Sequence, residues 1–193
     1  MDHSKHDNKA TILETALGLF SVRGYESVGI QEIVDKSNIT KPTLYHYFGN
    51  KRGLLDAIIA VYGEKMFSTI EQSCKYNKDI VMNLTILTRE LINFALSNQA
   101  FYRFSIALSA AAPNNEGYAA YLPLKTGINS SLEKLFISAA CDHGNMRGRE
   151  KAYSETFQGM VQTWAMLVLN REIELTDEIL YRAVHQFMHG IFS

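Results

Sequence analysis

Apolar residues return every three or four positions along almost all of this 193-residue chain, and nowhere alternate convincingly with polar ones. That spacing gathers side chains on one face of an α-helix and scatters them over both faces of a strand, so it predicts an all-α fold. With 3 Pro and 12 Gly, long helices are permitted. Hydrophobic residues make up 47% of the chain and charged residues 20%, an ordinary balance for a packed core and against disorder.

Local signals divide the pattern into about nine to ten helices. Ile12, Leu13, Ala16, Leu17 and Phe20 mark a first helix, capped by Asp7 or Asn8 and stopped at Gly24. A short second helix, about 29–37, turns Ile30, Ile33 and Val34 inward. Thr40 suits an N-cap and Pro42 a first turn, so a third helix is predicted over 41–48, ending at Gly49. Asn50 then caps a long helix, about 51–73, with Leu54, Leu55, Ile58, Ile59, Tyr62 and Met66 as its stripe. Helices follow at about 79–96 and 98–111, with a break at Pro113 and a turn near 117–121. Pro123 opens a helix to about 142, 143–148 is a loop, and two long helices close the chain at about 150–170 and 176–192. The expected organisation is a three-helix N-terminal domain over residues 1–53 and a larger helical domain over 54–193.

Residues 30–48 have the physics of a helix-turn-helix. Two short helices flank Asn38, a residue that tolerates positive φ. Ile33, Val34, Ile39, Leu44 and Phe48 can form a small shared core, which leaves Lys41, Thr43, Tyr45, His46 and Tyr47 without an apolar obligation. A helix of two turns is not held by its own propensity, and a polar, aromatic one pinned from behind suits a major groove. Net charge is −1, so the whole chain is not a basic DNA binder, but Lys36, Lys41, Lys51 and Arg52 follow one another with no acid between them. The competing reading of Tyr45 is core packing, which Leu44 disfavours by filling the adjacent inward position. Phe48 reads as core, and His46 as a base contact or an exposed histidine.

Phe20-Ser-Val-Arg-Gly24-Tyr25, Ile30-Gln-Glu-Ile33, Ile39-Thr40-Lys41-Pro42-Thr43-Leu44-Tyr45-His46-Tyr47-Phe48 and Asn50-Lys51-Arg52-Gly-Leu54-Leu55 together resemble the DNA-binding domain of the TetR family of regulators. The resemblance covers about residues 9–60, and the rest is similar only in length and helical content. It implies that Lys41, Thr43, Tyr45, His46 and Tyr47 face the groove, with Pro42 in the first turn of that helix. It also implies that Thr40, Tyr47 and Lys51 hold phosphate and that Gln31 reaches a base edge. Where many relatives carry a hydroxyl pair this chain has Val28-Gly29, which puts one phosphate contact in doubt. The implied partners are an operator in double-stranded DNA, an unidentified small-molecule effector and a second copy joined through the last two helices. The implied activity is repression relieved by the effector. The alternative is a helical ligand- or protein-binding dimer without DNA binding.

The remaining features point less sharply. Phe101, Tyr102, Tyr121, Met160 and Trp164 are core candidates first and effector-pocket candidates second. His185 and His189 have a metal-compatible spacing, but no Cys or acid completes a tetrahedral set, so no metal or cofactor is expected. Gly144 and Gly148 bound a turn that lacks the ending of a phosphate loop, and Cys141 reads as a small core residue. No nucleophile elbow or cofactor fingerprint is present, so an enzyme is not expected. The N-terminus is polar and no apolar run is expected to reach the ~18 residues of a membrane span, which places the expected protein in the cytosol with free thiols.

Overall fold

A computed structural model describes residues 3–190, with side chains from residue 8 onward. The elements are α1 (His3–Arg23), α2 (Ile30–Lys36), α3 (Lys41–Phe48), α4 (Lys51–Ile58), a π-helical stretch (Ile59–Gly63), α5 (Glu64–Ser73), α6 (Ile80–Ser97), α7 (Gln99–Ala110), α8 (Glu116–Asp142), a 3-10 turn (Gly144–Met146), α9 (Glu150–Leu169) and α10 (Asp177–His189). No strand occurs among the described residues, and the fold is all-α as the periodicity requires.

Most boundaries follow the caps in the sequence. The side chains of Thr40, Asn50, Asp79 and Thr176 each accept a backbone N–H in the first turn of the helix they precede. Three boundaries differ. Helix α1 begins at His3, ahead of the expected cap at Asp7 or Asn8. Helix α8 begins at Glu116 and carries Pro123 inside it, about two turns before the expected start. Asn115 is the reason: its Oδ1 accepts from the N–H of Gly117 at 2.8 Å and of Tyr118 at 3.2 Å, so the helix is capped before the proline is reached. Helix α10 ends at His189, with Gly190 at φ 74°, and Ile191 of the expected apolar face lies outside the described residues.

Two side chains are placed differently from expectation. Cys141 is exposed rather than in the core. The buried stripe of α8 runs through Leu132, Leu135, Phe136, Ala139 and Ala140, and position 141 falls off its edge. Ile39 is half-buried, for a reason given below.

The chain forms two compact units, residues 1–64 with 100–125, and residues 65–99 with 126–193. In the first, α1 packs on α2 and α4 over Ile12, Ala16, Phe20, Ile33, Leu54 and Ile58, all essentially without solvent contact. The Phe20 ring meets Tyr25 edge-on at 5.3 Å and Phe104 of α7 at 5.7 Å. In the second, α6 packs on α9 and α10, and Phe136, Phe157 and Phe187 form a ring cluster at 5.4–6.3 Å. By length and composition α6 could cross a bilayer, contrary to the expectation that no run reaches spanning length. Half of it is buried in this unit, and Arg89 and Glu90 sit at its centre.

Candidate nucleic-acid interface

The candidate reader is built from the α2–α3 turn outward. Helix α2 ends in a Schellman arrangement. Asn38 N–H donates to Asp35 O at 3.3 Å and Ile39 N–H to Val34 O at 3.2 Å, with Asn38 at φ 52°. This satisfies the last carbonyls of α2 and swings the chain directly into α3. It also explains Ile39, which follows the left-handed residue and covers the helix end without entering the core.

Helix α3 is then fixed at both ends and from behind. Thr40 Oγ1 accepts Thr43 N–H at 3.4 Å and lies 2.8 Å from Thr43 Oγ1. Gly49, at φ 73°, donates to Tyr45 O at 2.8 Å. Leu44 and Phe48, four residues apart, are buried and anchor the inner face. The outer face carries Lys41, Pro42, Tyr45 and His46, all exposed, with Thr43 and Tyr47 half-exposed. Tyr45 is 45% exposed, so its ring belongs to the surface and not to the core. The His46 and Tyr47 rings meet edge-on at 5.5 Å, which limits their freedom while leaving polar atoms at the surface.

Helix α4 starts against α3 at an unusually close approach. A Cβ on Gly53 would lie 2.0 Å from the carbonyl oxygen of Phe48, so only glycine fits the crossing. Asn50 Oδ1 accepts Gly53 N–H at 2.8 Å and closes the first turn. Lys51 is half-exposed at this N-terminus. On α2, Gln31 is exposed and its Nε2 donates to Asp35 Oδ1 at 2.7 Å, so the amide is held along its own helix. Val28 is fully buried and Gly29 caps α2 with no side-chain bond, so neither offers a hydroxyl to phosphate.

The other candidates lie elsewhere. Phe101, Tyr102 and Tyr121 are buried in the first unit and Met160 and Trp164 are half-exposed on α9 in the second. Burial raises the Tyr121 hydroxyl to about 12, with a bond to Ser105 opposing, and raises Tyr102 as well. The Phe101 ring stacks on Tyr62 at 5.5 Å. The His185 and His189 rings lie 4.6 Å apart on α10, tilted against each other. Sequence reasoning missed a polar contact between the α1–α2 turn and the start of α8: Tyr25 Oη donates to Glu116 Oε2 at 2.7 Å. The partners are 91 residues apart, and no local pattern marks either one.

Comparison with known proteins agrees with this geometry. Residues 12–58 match the family described as bacterial regulatory proteins, tetR family. The HTH-type transcriptional regulator YuxN of Bacillus subtilis (strain 168) is 39% identical over 64 residues, 33% of this chain and 22% of that protein. The HTH-type transcriptional regulator YxaF of the same organism is 24% identical over 173 residues, 88% of each chain. Among solved structures, AibR in complex with isovaleryl coenzyme A and operator DNA is 26% identical, with TM-score 0.70, over 96% of this chain and 100% of that one.

Proposed function

We propose, from the premise that this chain belongs to the TetR family of DNA-binding transcriptional regulators, that it is a homodimeric repressor released from a palindromic operator by a small-molecule effector. The observation that carries the reading is α3: Leu44 and Phe48 pin it from behind while Lys41, Tyr45 and His46 stand exposed. A short helix so presented inserts its outer side chains among base edges. Thr40, Tyr47 and Lys51 then hold the backbone, and Gln31 swings from Asp35 to a base.

Dimerisation through α9 and α10 is supported by apolar side chains at helical spacing that the protomer leaves partly exposed. They are Met160, Trp164 and Leu167 on α9 and Tyr181 and Met188 on α10, with the His185 ring beside Tyr181. Phe157, Val161, Val168, Leu180 and Val184 on the same two helices are buried within the protomer. A two-fold pair would set two α3 helices ~34–36 Å apart, one DNA turn. The effector is an amphipathic molecule, with Phe101, Tyr102 and Tyr121 of the first unit as its contacts. AibR, with its acyl thioester of coenzyme A, supports that ligand class.

An electrophoretic shift with DNA from upstream of the protein's own gene tests the function. A specific shift, competed by its own sequence and weakened by coenzyme A thioesters, is expected. No shift at micromolar protein would leave a helical binding module without a DNA role.

A further inference from the structure

Lys51 stands where a cation can meet phosphate, yet its ammonium is engaged by the protein. Nζ lies 4.2 Å from the centroid of the Tyr25 ring and donates to the Glu26 carbonyl at 3.3 Å. Tyr25 Oη in turn donates to Glu116 Oε2 at 2.7 Å. Glu116 is the first residue of α8, and its backbone carbonyl accepts from Arg52 Nη1 at 3.5 Å. Asn115, just before it, donates from Nδ2 to Glu26 Oε1 at 3.1 Å. The turn between α7 and α8 therefore grips the entry to α4 by polar contacts. Beside them lies an open depression of about 250 Å³ lined by Tyr25, Glu26, Phe104, Leu108 and Asn115, among others.

An ammonium held by an aromatic face, a carbonyl and the field of two carboxylates gives these up when it turns to a phosphate. Burial lowers the Lys51 pKa, and Glu26 and Glu116 oppose that by favouring the charged form. Glu26 and Glu116 thus favour the ammonium where it lies. We propose that Glu116 is a positioning residue for Lys51. Through Tyr25 it holds the ammonium off the DNA backbone, and a shift of the α7–α8 turn that withdraws Glu116 frees the cation to take a phosphate. The proposal rests on the reading that the N-terminus of α4 meets DNA.

The test is fluorescence anisotropy of a labelled random-sequence duplex across a salt series, with wild-type protein, Glu116→Gln, Lys51→Ala and the double variant. Glutamine keeps an acceptor for Tyr25 and removes the charge. Glu116→Gln is expected to bind about two- to tenfold tighter at low salt, with a slope of log K against log salt steeper by up to ~0.9. In the Lys51→Ala background the same change should leave the slope alone and move affinity less than about twofold. Tyr25→Phe keeps the ring beneath Lys51 and loses the bond to Glu116, so it should shift in the same direction as Glu116→Gln. Equal slopes for wild type and Glu116→Gln overturn the proposal, as does an equal gain in both lysine backgrounds, which would mean that the carboxylate repels DNA directly. If the double variant has the slope of Glu116→Gln alone, the DNA-facing reading of α4 fails first.

Discussion

Tyr45 and Lys51 are adjacent on the candidate reader but do different work. Tyr45 projects from the middle of α3, where a side chain meets base edges, and Lys51 sits at a helix start, where it meets backbone charge whatever the sequence. Tyr45→Ala should therefore lower operator affinity much more than affinity for random DNA, which competition binding would show; equal losses would make Tyr45 a mere surface ring. Lys51→Ala should weaken both alike, with its loss of salt slope small in the wild type and approaching one in the Glu116→Gln background, where the ammonium is free to meet phosphate. The two cysteines form another contrast. Burial pushes the Cys74 thiol up to about 12, so it stays protonated through neutral pH, whereas Cys141 is exposed. A thiol reagent at pH 8 should modify exposed Cys141 of the native protein quickly and half-buried Cys74 much more slowly, the two rates converging in denaturant. Two fast thiols would contradict the burial of Cys74.

The elements of the reader are too short to be stable alone, so their ends matter more than their interiors. Asn50→Ala removes the acceptor that closes the first turn of α4 and should cost about 1 kcal/mol of stability in thermal or chemical unfolding. Gly53 is a harder constraint. Its missing Cβ makes room for a backbone carbonyl, which cannot rotate away as a side chain could. Gly53→Ala should push α3 from α4, and the loss of operator binding should exceed that of any cap variant. A Gly53→Ala protein with wild-type affinity would show that the crossing angle of α3 on α4 is unimportant.

At the scale of the whole molecule, one reader helix contacts too little DNA to select a site, and pairing doubles the contact under a fixed spacing. The chain's single tryptophan, Trp164, lies half-exposed on α9, where the proposed interface would cover it. Sedimentation should find a dimer at micromolar concentration. Trp164→Glu should give a folded monomer, helical by circular dichroism, that has lost operator binding. A Trp164→Glu dimer of wild-type affinity would move the interface away from α9.

The α3 helix, its Thr40 cap, the positive φ of Asn38 and the exposure of Tyr45 could all be read from residues within one or two turns of each other. Helix ends and turns are decided by such neighbours, so local sequence carries them. The same local logic failed at Pro123, where Asn115 caps α8 earlier than the proline could open it. It also failed at Cys141, because which face of α8 is buried depends on what packs there. The bond from Tyr25 to Glu116 joins side chains far apart in the chain, and only folding brings them within 2.7 Å. The sequence alone determined a two-turn helix with an outward polar face. The tertiary structure decided which groups surround the lysine beside it, the Tyr25 ring and the Glu26 carbonyl among them, because such fields depend on distance through space and not along the chain.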